Sequence, residues 1–220
     1  MNRVTIGEIK VNTLKLMFTN YSDRIYAFDG DGNDNIPNLE EDTEYAVYLV
    51  NMNECINRAL NRLISVGALP TKSFVVTAEH TTTRNAIRVD LKQEVEDYST
   101  IVRVIKDSDE SYDANYPYRL EENGVIRLNA LEEGEEYRII YRPKEELLTE
   151  LTPNTHTFTN VPDNIAILSP YFVKGELLEE DDSAASALAR NLFEQLLADR
   201  VSEIDGPEQL EIKTVYGDLL

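Results

Sequence analysis

The spacing of apolar residues changes along the chain from helical to alternating and then back to helical. Near the N-terminus, Thr5 and Glu8 fit a capping box, and the apolar spacing that follows predicts a helix ending near Phe18. The strongest helical stripe runs from Thr43 to Val66, where apolar residues recur every three or four positions. The intervening stretch from Tyr21 to Asp42 is rich in Asp, Asn and Gly, which predicts a long polar loop.

The middle of the chain has the short, β-branched pattern of strands. Five segments separated by turn-forming residues carry it: Phe74–Val76, Ile87–Leu91, Ile101–Ile105, Val125–Leu128 and Tyr137–Tyr141. Because no helical pattern separates consecutive strands, we expect an antiparallel β module without parallel crossovers. Ile87 and Val89 alternate with Arg88 and Asp90, so one face of the module is expected to be packed and the other to face solvent.

Helical patterning returns after the strands. Pro143 and Pro153 bracket a segment containing Leu147 and Leu148, and Pro170 favours the start of a helix that ends near the acidic run 179–182. Asp182 or Ser183 is placed to cap a last helix, which Gly206 and Pro207 end. Its predicted apolar stripe comprises Leu188, Leu192, Phe193, Leu196 and Leu197.

These patterns predict an α+β fold, with an α-helical, four-helix-type core, an inserted antiparallel β module and an extended C-terminal tail. Residues 1–72 and 143–207 are assigned to the helical core, 73–142 to the β-strand-rich insertion and 208–220 to the tail. A chain of 220 residues is long enough to bury such a core without disulfides or metals.

The charge narrows the possible partners. Lys and Arg number 21 against 41 Asp and Glu, for a formal net charge of −20. A surface this acidic repels phosphate backbones, which argues against ordinary nucleic-acid binding. No apolar run approaches the roughly 18 residues of a membrane span, and the N-terminus lacks an apolar signal core, so we expect a protein kept in the cytosol without membrane contact.

Residues able to perform catalysis are scarce. His80 and His156 both lie in Thr-rich polar segments, where packing or surface roles are expected, and neither has a second His or Cys at zinc-ligand spacing. Cys55, the single cysteine, lies beside an apolar helical stripe and is interpreted as a small apolar filler. The sequence therefore predicts no enzyme and no cofactor.

One segment has the spacing of a calcium-binding loop. Asp29, Asp31, Asn33 and Glu40 occupy the first, third, fifth and twelfth positions of an EF-hand pattern. The sixth position carries Asp34 instead of glycine, and Pro37 disturbs the approach to the exit helix. An ordinary solvated loop is the favoured interpretation, with calcium binding as the alternative.

The C-terminal tail is the candidate interface. Its apolar residues are Leu210, Ile212, Val215, Tyr216, Leu219 and Leu220. The alternation in 211–216 suits addition of a strand to a neighbouring protein, although packing on its own domain is the alternative.

Two stretches resemble the head-to-tail connector (adaptor or neck) proteins of tailed bacteriophages. One is Ile56–Leu63, late in the second helix. The other combines Val161-Pro162-Asp163 with Leu168-Ser169-Pro170-Tyr171-Phe172-Val173-Lys174-Gly175-Glu176-Leu177-Leu178-Glu179-Glu180-Asp181 and the following Ala189-Arg190-Asn191-Leu192-Phe193-Glu194. The resemblance covers about a quarter of the chain and leaves the β module unmatched.

The resemblance implies a four-helix core that assembles into a dodecameric homo-oligomeric ring beneath the portal of the virion, after synthesis in the host bacterial cytoplasm. It also implies that the tail contacts the portal protein or downstream neck and tail proteins. An acidic ring would let passing DNA slide without specific binding. The alternatives are another virion structural role, such as tail completion, baseplate or capsid association, and a calcium-dependent binding module.

Overall fold

The computed structural model describes residues 3–18, 43–77, 86–106, 115–121, 124–129 and 134–204. Its helices are α1 (Ile6–Met17), α2 (Thr43–Ser65), α3 (Leu91–Glu94), α4 (Asp163–Ala166), α5 (Ser169–Leu177) and α6 (Ser183–Ile204). The helices predicted after Thr5, Thr43, Pro170 and Asp182 are confirmed. None of the described helices is long and apolar enough to cross a membrane.

The strands are β1 (Lys72–Thr77), β2 (Ala86–Asp90), β3 (Tyr98–Lys106), β4 (Tyr118–Leu120), β5 (Val125–Asn129) and β6 (Glu136–Pro143). They form two three-stranded sheets, ordered β1-β6-β3 and β2-β5-β4, and every pairing is antiparallel. The α+β class and the antiparallel arrangement are thus confirmed. Strand β4 was not predicted, because its three residues are too few to show alternation.

Local chemistry explains where the first helix begins. The Thr5 side chain accepts a hydrogen bond from the Glu8 amide at 3.2 Å, and a Glu8 carboxylate oxygen accepts one from the Thr5 amide at 2.7 Å. This reciprocal capping box is the predicted one. Next to it, the amide of Ile6 donates to the carbonyl of His156 at 2.9 Å, which ties the helix to a distant segment.

Helix α5 lies at the centre of the helical region, where it packs against α1, α2 and α6. Val173 on this helix is completely buried. Apolar side chains from the four helices, from α4 and from the loops around 68–69, 148 and 158–161 join one buried cluster. A second buried cluster lies between the two sheets and includes Val89, Leu91, Ile126 and Leu128. The predicted packed face of β2 is therefore confirmed.

The segment between Pro143 and Pro153 forms no helix, contrary to the helical patterning expected there. Its backbone is held by side chains instead. Asn57 on α2 pairs with Leu148 like a neighbouring strand, donating to its carbonyl and accepting from its amide, both at 2.8 Å. Nearby, the buried Glu145 carboxylate accepts from the amides of Thr159 and Asn160. These long-range contacts outweigh the local helical preference.

Candidate assembly surfaces

Most residues that the sequence singled out lie outside the described part of the chain. The calcium candidates Asp29, Asp31, Asn33 and Glu40 fall in 19–42, and His80 falls in 78–85. The tail residues Leu210, Ile212, Val215, Tyr216, Leu219 and Leu220 fall in 205–220. Their assignments stay predictions. The described residues contain no group of three or more His, Cys, Asp or Glu arranged to hold a metal ion.

The two described residues with catalytic potential both occupy packed positions. Cys55 is buried against the helical cluster, and burial, assisted by the nearby carboxylate of Glu176, raises the pKa of its thiol to about 11. At neutral pH this thiol is protonated and unreactive. His156 packs edge-on against Phe158, with 6.5 Å between ring centroids, and its Nε2 has no hydrogen-bond partner among the described residues. Cys55 therefore has a packing role, and His156 contributes a ring contact to the loop that meets the start of α1.

A groove of about 1040 Å³ lies where the loop 94–97 meets the segments 144–147 and 159–160. Its lining is acidic, including Glu94, Glu96, Asp97, Glu145 and Glu146. Two of these carboxylates have structural partners. Asp97 accepts from Lys72 at 2.6 Å and from Tyr141 at 3.1 Å, and Glu145 holds two backbone amides. The groove is therefore built as a junction between regions.

Burial and hydrogen bonds at this junction shift the pKa values of Asp97 and Tyr141. Burial acts to raise the pKa of Asp97, but the hydrogen bonds from Lys72 and Tyr141 outweigh it and lower the pKa below its ordinary value. Burial and the bond to Asp97 raise the pKa of Tyr141 to about 12. Asp97 thus stays ionised and Tyr141 stays protonated at neutral pH, which keeps the hydrogen bond between them intact.

Helix α6 is held against its neighbours by a network of ion pairs. Glu176 on α5, whose side chain is only 10% exposed, pairs with Arg58 at 2.9 Å and with Arg190 at 2.7 Å. Arg62 on α2 forms a two-pronged contact with Glu194, at 2.8 and 2.7 Å. Paired guanidinium and carboxylate groups fix relative orientation well, because both ends are planar. The network therefore sets the rotation of α6 on α2 and α5.

A close helix contact determines which face of α6 turns inward. Ser186 donates to the carbonyl of Gly175 at 2.7 Å. A Cβ atom at Gly175 would lie 2.6 Å from Cγ of Arg190, so the two helices approach too closely for a larger residue there. Small residues, Ser186 and Ala189, therefore occupy the first part of the inner face of α6, followed by Phe193 and Leu197.

This packing corrects the predicted apolar stripe. Phe193 and Leu197 are buried as expected, but Leu188 is 71% exposed and Leu192 39% exposed. Two apolar stripes lie next to each other on α6, and the spacing of apolar residues along the sequence did not distinguish them. The stripe that includes Ala189 faces α5, where a Cβ atom at Gly175 would lie only 2.6 Å from Cγ of Arg190.

The outer face of α6 is consequently uncharged. The exposed positions between Ser183 and Asp199 are Ala184, Ala187, Leu188, Asn191, Leu192, Gln195 and Ala198. The two charged residues within this stretch, Arg190 and Glu194, are turned to the flanks and paired. At 1.5 Å per residue the stripe runs for about 22 Å. We call it the uncharged α6 face.

Comparison with protein-family models gives no match for this chain, and comparison with curated proteins gives no significant match either.

Proposed function

We propose that this chain is a structural subunit of a tailed-phage neck, forming an adaptor ring that joins the portal to the tail and surrounds the DNA channel. The residues that resemble connector proteins support the proposal, since 163–194 fold as the successive helices α4, α5 and α6. In this role the chain acts through its interfaces, binds no cofactor and performs no catalysis. Its place is the neck of the virion.

The observation that carries the assembly role is the uncharged α6 face. Copies with a net charge of −20 repel one another, so a stable contact between them requires a surface that adds no further like charge. The face also exposes Leu188 and Leu192, and burying these apolar side chains at a contact is favourable because it removes them from water. A contact made by one face of each copy with a different face of the next repeats head to tail, and this kind of contact closes into a ring.

The finer architecture follows from the same role. Residues 1–72 and 143–207 make the four-helix-type core of the ring, 73–142 form an insertion, and 208–220 extend from the end of α6 to the portal protein or to downstream neck and tail proteins. Apolar tail residues, including Leu210, Ile212 and Tyr216, make that contact. The acidic wall of the channel lets DNA pass without binding it.

The first experiment locates the chain in virus particles. Mass spectrometry of purified virions is expected to detect the polypeptide, and a density map of the neck is expected to show it as a ring under the portal. Particles that lack the chain would contradict the proposal. A position in the baseplate, the tail tip or the capsid surface would replace the neck with another virion role.

The second experiment tests the surfaces. Leu188→Asp with Leu192→Asp is expected to abolish ring assembly on purified portal, since two charges would be buried at the contact. Leu147→Asp with Leu151→Asp is the matched control, because it adds the same two charges at leucines that are 53% and 91% exposed in the loop after β6. Deletion of 208–220 is expected to abolish portal binding. Unchanged binding after this deletion would overturn the assignment of the tail.

A further inference from the structure

The outer face of the second sheet carries a row of arginines. Arg88 on β2 and Arg119 on β4 both lie directly opposite Arg127 on β5. The next residues in register, Val89 and Ile126, are buried between the sheets, so the three arginines lie on the solvent side. Adjacent strands are about 4.8 Å apart, and the row therefore spans about 10 Å. We call it the arginine row.

The chain itself neutralises this row only in part. Arg88 pairs with Glu121 at 2.5 Å, and the buried Nε of Arg127 has no hydrogen-bond partner in the described part of the chain. Arg119 is exposed and forms no ion pair with any described residue. The other carboxylate on this face, Asp90, accepts from the Lys92 amide as the cap of α3. Like charges placed directly opposite in a sheet are destabilising, so the arginine row is expected to lower the stability of the fold. We therefore expect the row to bind a negatively charged surface.

A complementary surface lies at the other end of the chain. Residues Glu179-Glu180-Asp181-Asp182 are the longest uninterrupted run of carboxylates in the sequence, and all four are exposed. Glu179 pairs with Arg190, and Asp182 accepts from the amide of Ala185 as the cap of α6. Glu180 and Asp181 have no hydrogen-bond or ion-pair partner among the described residues. We call this segment the acidic turn.

We propose that the arginine row of one copy binds the acidic turn of the next copy. Guanidinium groups bind carboxylates through two parallel hydrogen bonds, which gives such a contact orientation as well as attraction. No ion pair between described residues joins the row and the turn within one copy. The two surfaces differ, so the contact is head to tail and can propagate around a ring. The inference rests on the proposed function only in assuming that copies of the chain assemble.

Carboxylates suit this row better than the phosphates of nucleic acid do. The net charge of −20 repels a duplex and a second copy alike, but a duplex carries a negative charge about every 1.7 Å along its axis, whereas the acidic turn brings only four carboxylates to the row. In the acidic turn, the carboxylates of Glu180 and Asp181 have no ion-pair partner among the described residues. Their negative charge is therefore available to neutralise the remaining positive charge of the arginine row.

The test is a charge exchange measured by sedimentation at low salt and at high protein concentration. The variant Arg88→Glu with Arg119→Glu keeps the sheet, since each glutamate then faces Arg127. It is expected to weaken self-association about tenfold or more. Glu180→Arg with Asp181→Arg is expected to weaken association to a similar extent, and combining all four substitutions is expected to restore it.

The design separates a specific contact from net charge. The first pair of substitutions makes the chain more negative by four units and the second makes it less negative by four, so the combined variant keeps −20. If only general repulsion mattered, the second pair would strengthen association. Lys92→Glu with Lys144→Glu is the matched control: it makes the same charge change as the first pair at exposed positions outside the row, and it is expected to leave association nearly unchanged.

Three outcomes would overturn the inference. The wild-type protein could stay monomeric at its highest soluble concentration, or the combined variant could fail to recover self-association. The third outcome is that a DNA duplex binds the arginine row while substitutions in the row leave self-association unchanged. These outcomes are distinct from failure of the neck role. Particles without the chain would remove that role and leave the contact between copies standing. A failed charge exchange, with the chain present in necks, would remove only this contact.

Discussion

The helical and sheet regions handle charge in opposite ways. The helical region holds charged residues in ion-pair networks between its helices and leaves the outer face of α6 uncharged. The strands instead place basic residues on or near the surface. Across the six described strands, eight residues are basic, against two acidic ones: Lys72, Arg88, Arg103, Lys106, Arg119, Arg127, Arg138 and Arg142, against Asp90 and Glu136.

The buried clusters of the two regions differ as well. The described part of the helical cluster contains 22 buried residues, whereas the cluster between the sheets contains seven. The two regions therefore differ both in the size of their buried core and in the chemistry of their exposed surface. In the helical region, α6 packs against a large buried cluster and exposes apolar residues on its outer face. In the sheet region, a smaller buried cluster supports strands whose outer face carries arginines. Four predictions test this difference.

The largest expected effect comes from the helical cluster. Phe193→Ala removes a completely buried ring that contacts Phe172 edge-on, and it is expected to lower the free energy of unfolding by about 3–5 kcal/mol. Leu188→Ala on the same helix is the control, with an expected change within about 0.5 kcal/mol. Urea unfolding measures both. Equal losses would show that the outer face of α6 is as important for folding as the inner one.

The sheet cluster is tested by a smaller truncation. Ile126 is completely buried on the central strand β5. Ile126→Val leaves a cavity of one methyl group and is expected to cost about 0.5–1.5 kcal/mol. Val102→Ala, at a 40% exposed position on the edge strand β3, is expected to cost less. If the exposed substitution costs as much as the buried one, the space between the sheets is not the core of this region.

The arginine row is expected to oppose folding. Arg119→Thr removes one of the like charges facing Arg127 and inserts a residue suited to strands, so the free energy of unfolding is expected to rise by about 0.2–1 kcal/mol. The gain should shrink as salt screens the repulsion. A loss of stability that is independent of salt would show that Arg119 packs rather than repels.

The smallest effect is expected from pH. The hydrogen bond from Arg62 lowers the pKa of Glu194 below its ordinary 4.5, and the contacts of Asp97 lower its pKa below 3.8. Lowered carboxyl pKa values stabilise the fold fully above those ordinary values, and the contribution is lost as pH falls toward the folded values. Because Glu194 and Arg62 are each 43% exposed, their pair is expected to contribute only about 0.2–1 kcal/mol.

Replacement by the uncharged amide isolates each carboxylate. Glu194→Gln and Asp97→Asn should each flatten part of the acid limb in a plot of melting temperature against pH, and should leave the slope near neutral pH unchanged. An acid limb that keeps its full slope in both variants would show that other carboxylates determine it.

Strong local signals predicted the elements but only part of the candidate surface. The Thr5 capping box and the long stripe of α2 specified helices by contacts within a few residues, and β-branched alternation specified most strands. Leu188 and Leu192 were identified as apolar positions on the last helix, yet their exposure was not foreseen. The arginine row was also missed, because Arg88, Arg119 and Arg127 are far apart in sequence until strand register aligns them.

What the sequence alone determined, then, is the type and approximate extent of the elements, since helix capping and the period of apolar residues depend on near neighbours. The tertiary structure decided which face of α6 is buried, that Asn57 and Glu145 keep 144–148 out of a helix, and that six strands divide into two sheets. These outcomes depend on distances between residues remote in sequence. At Gly175, for example, α5 has no room for a Cβ atom, because atoms of Arg190 and Ser186 on α6 lie within 3.3 Å of its position.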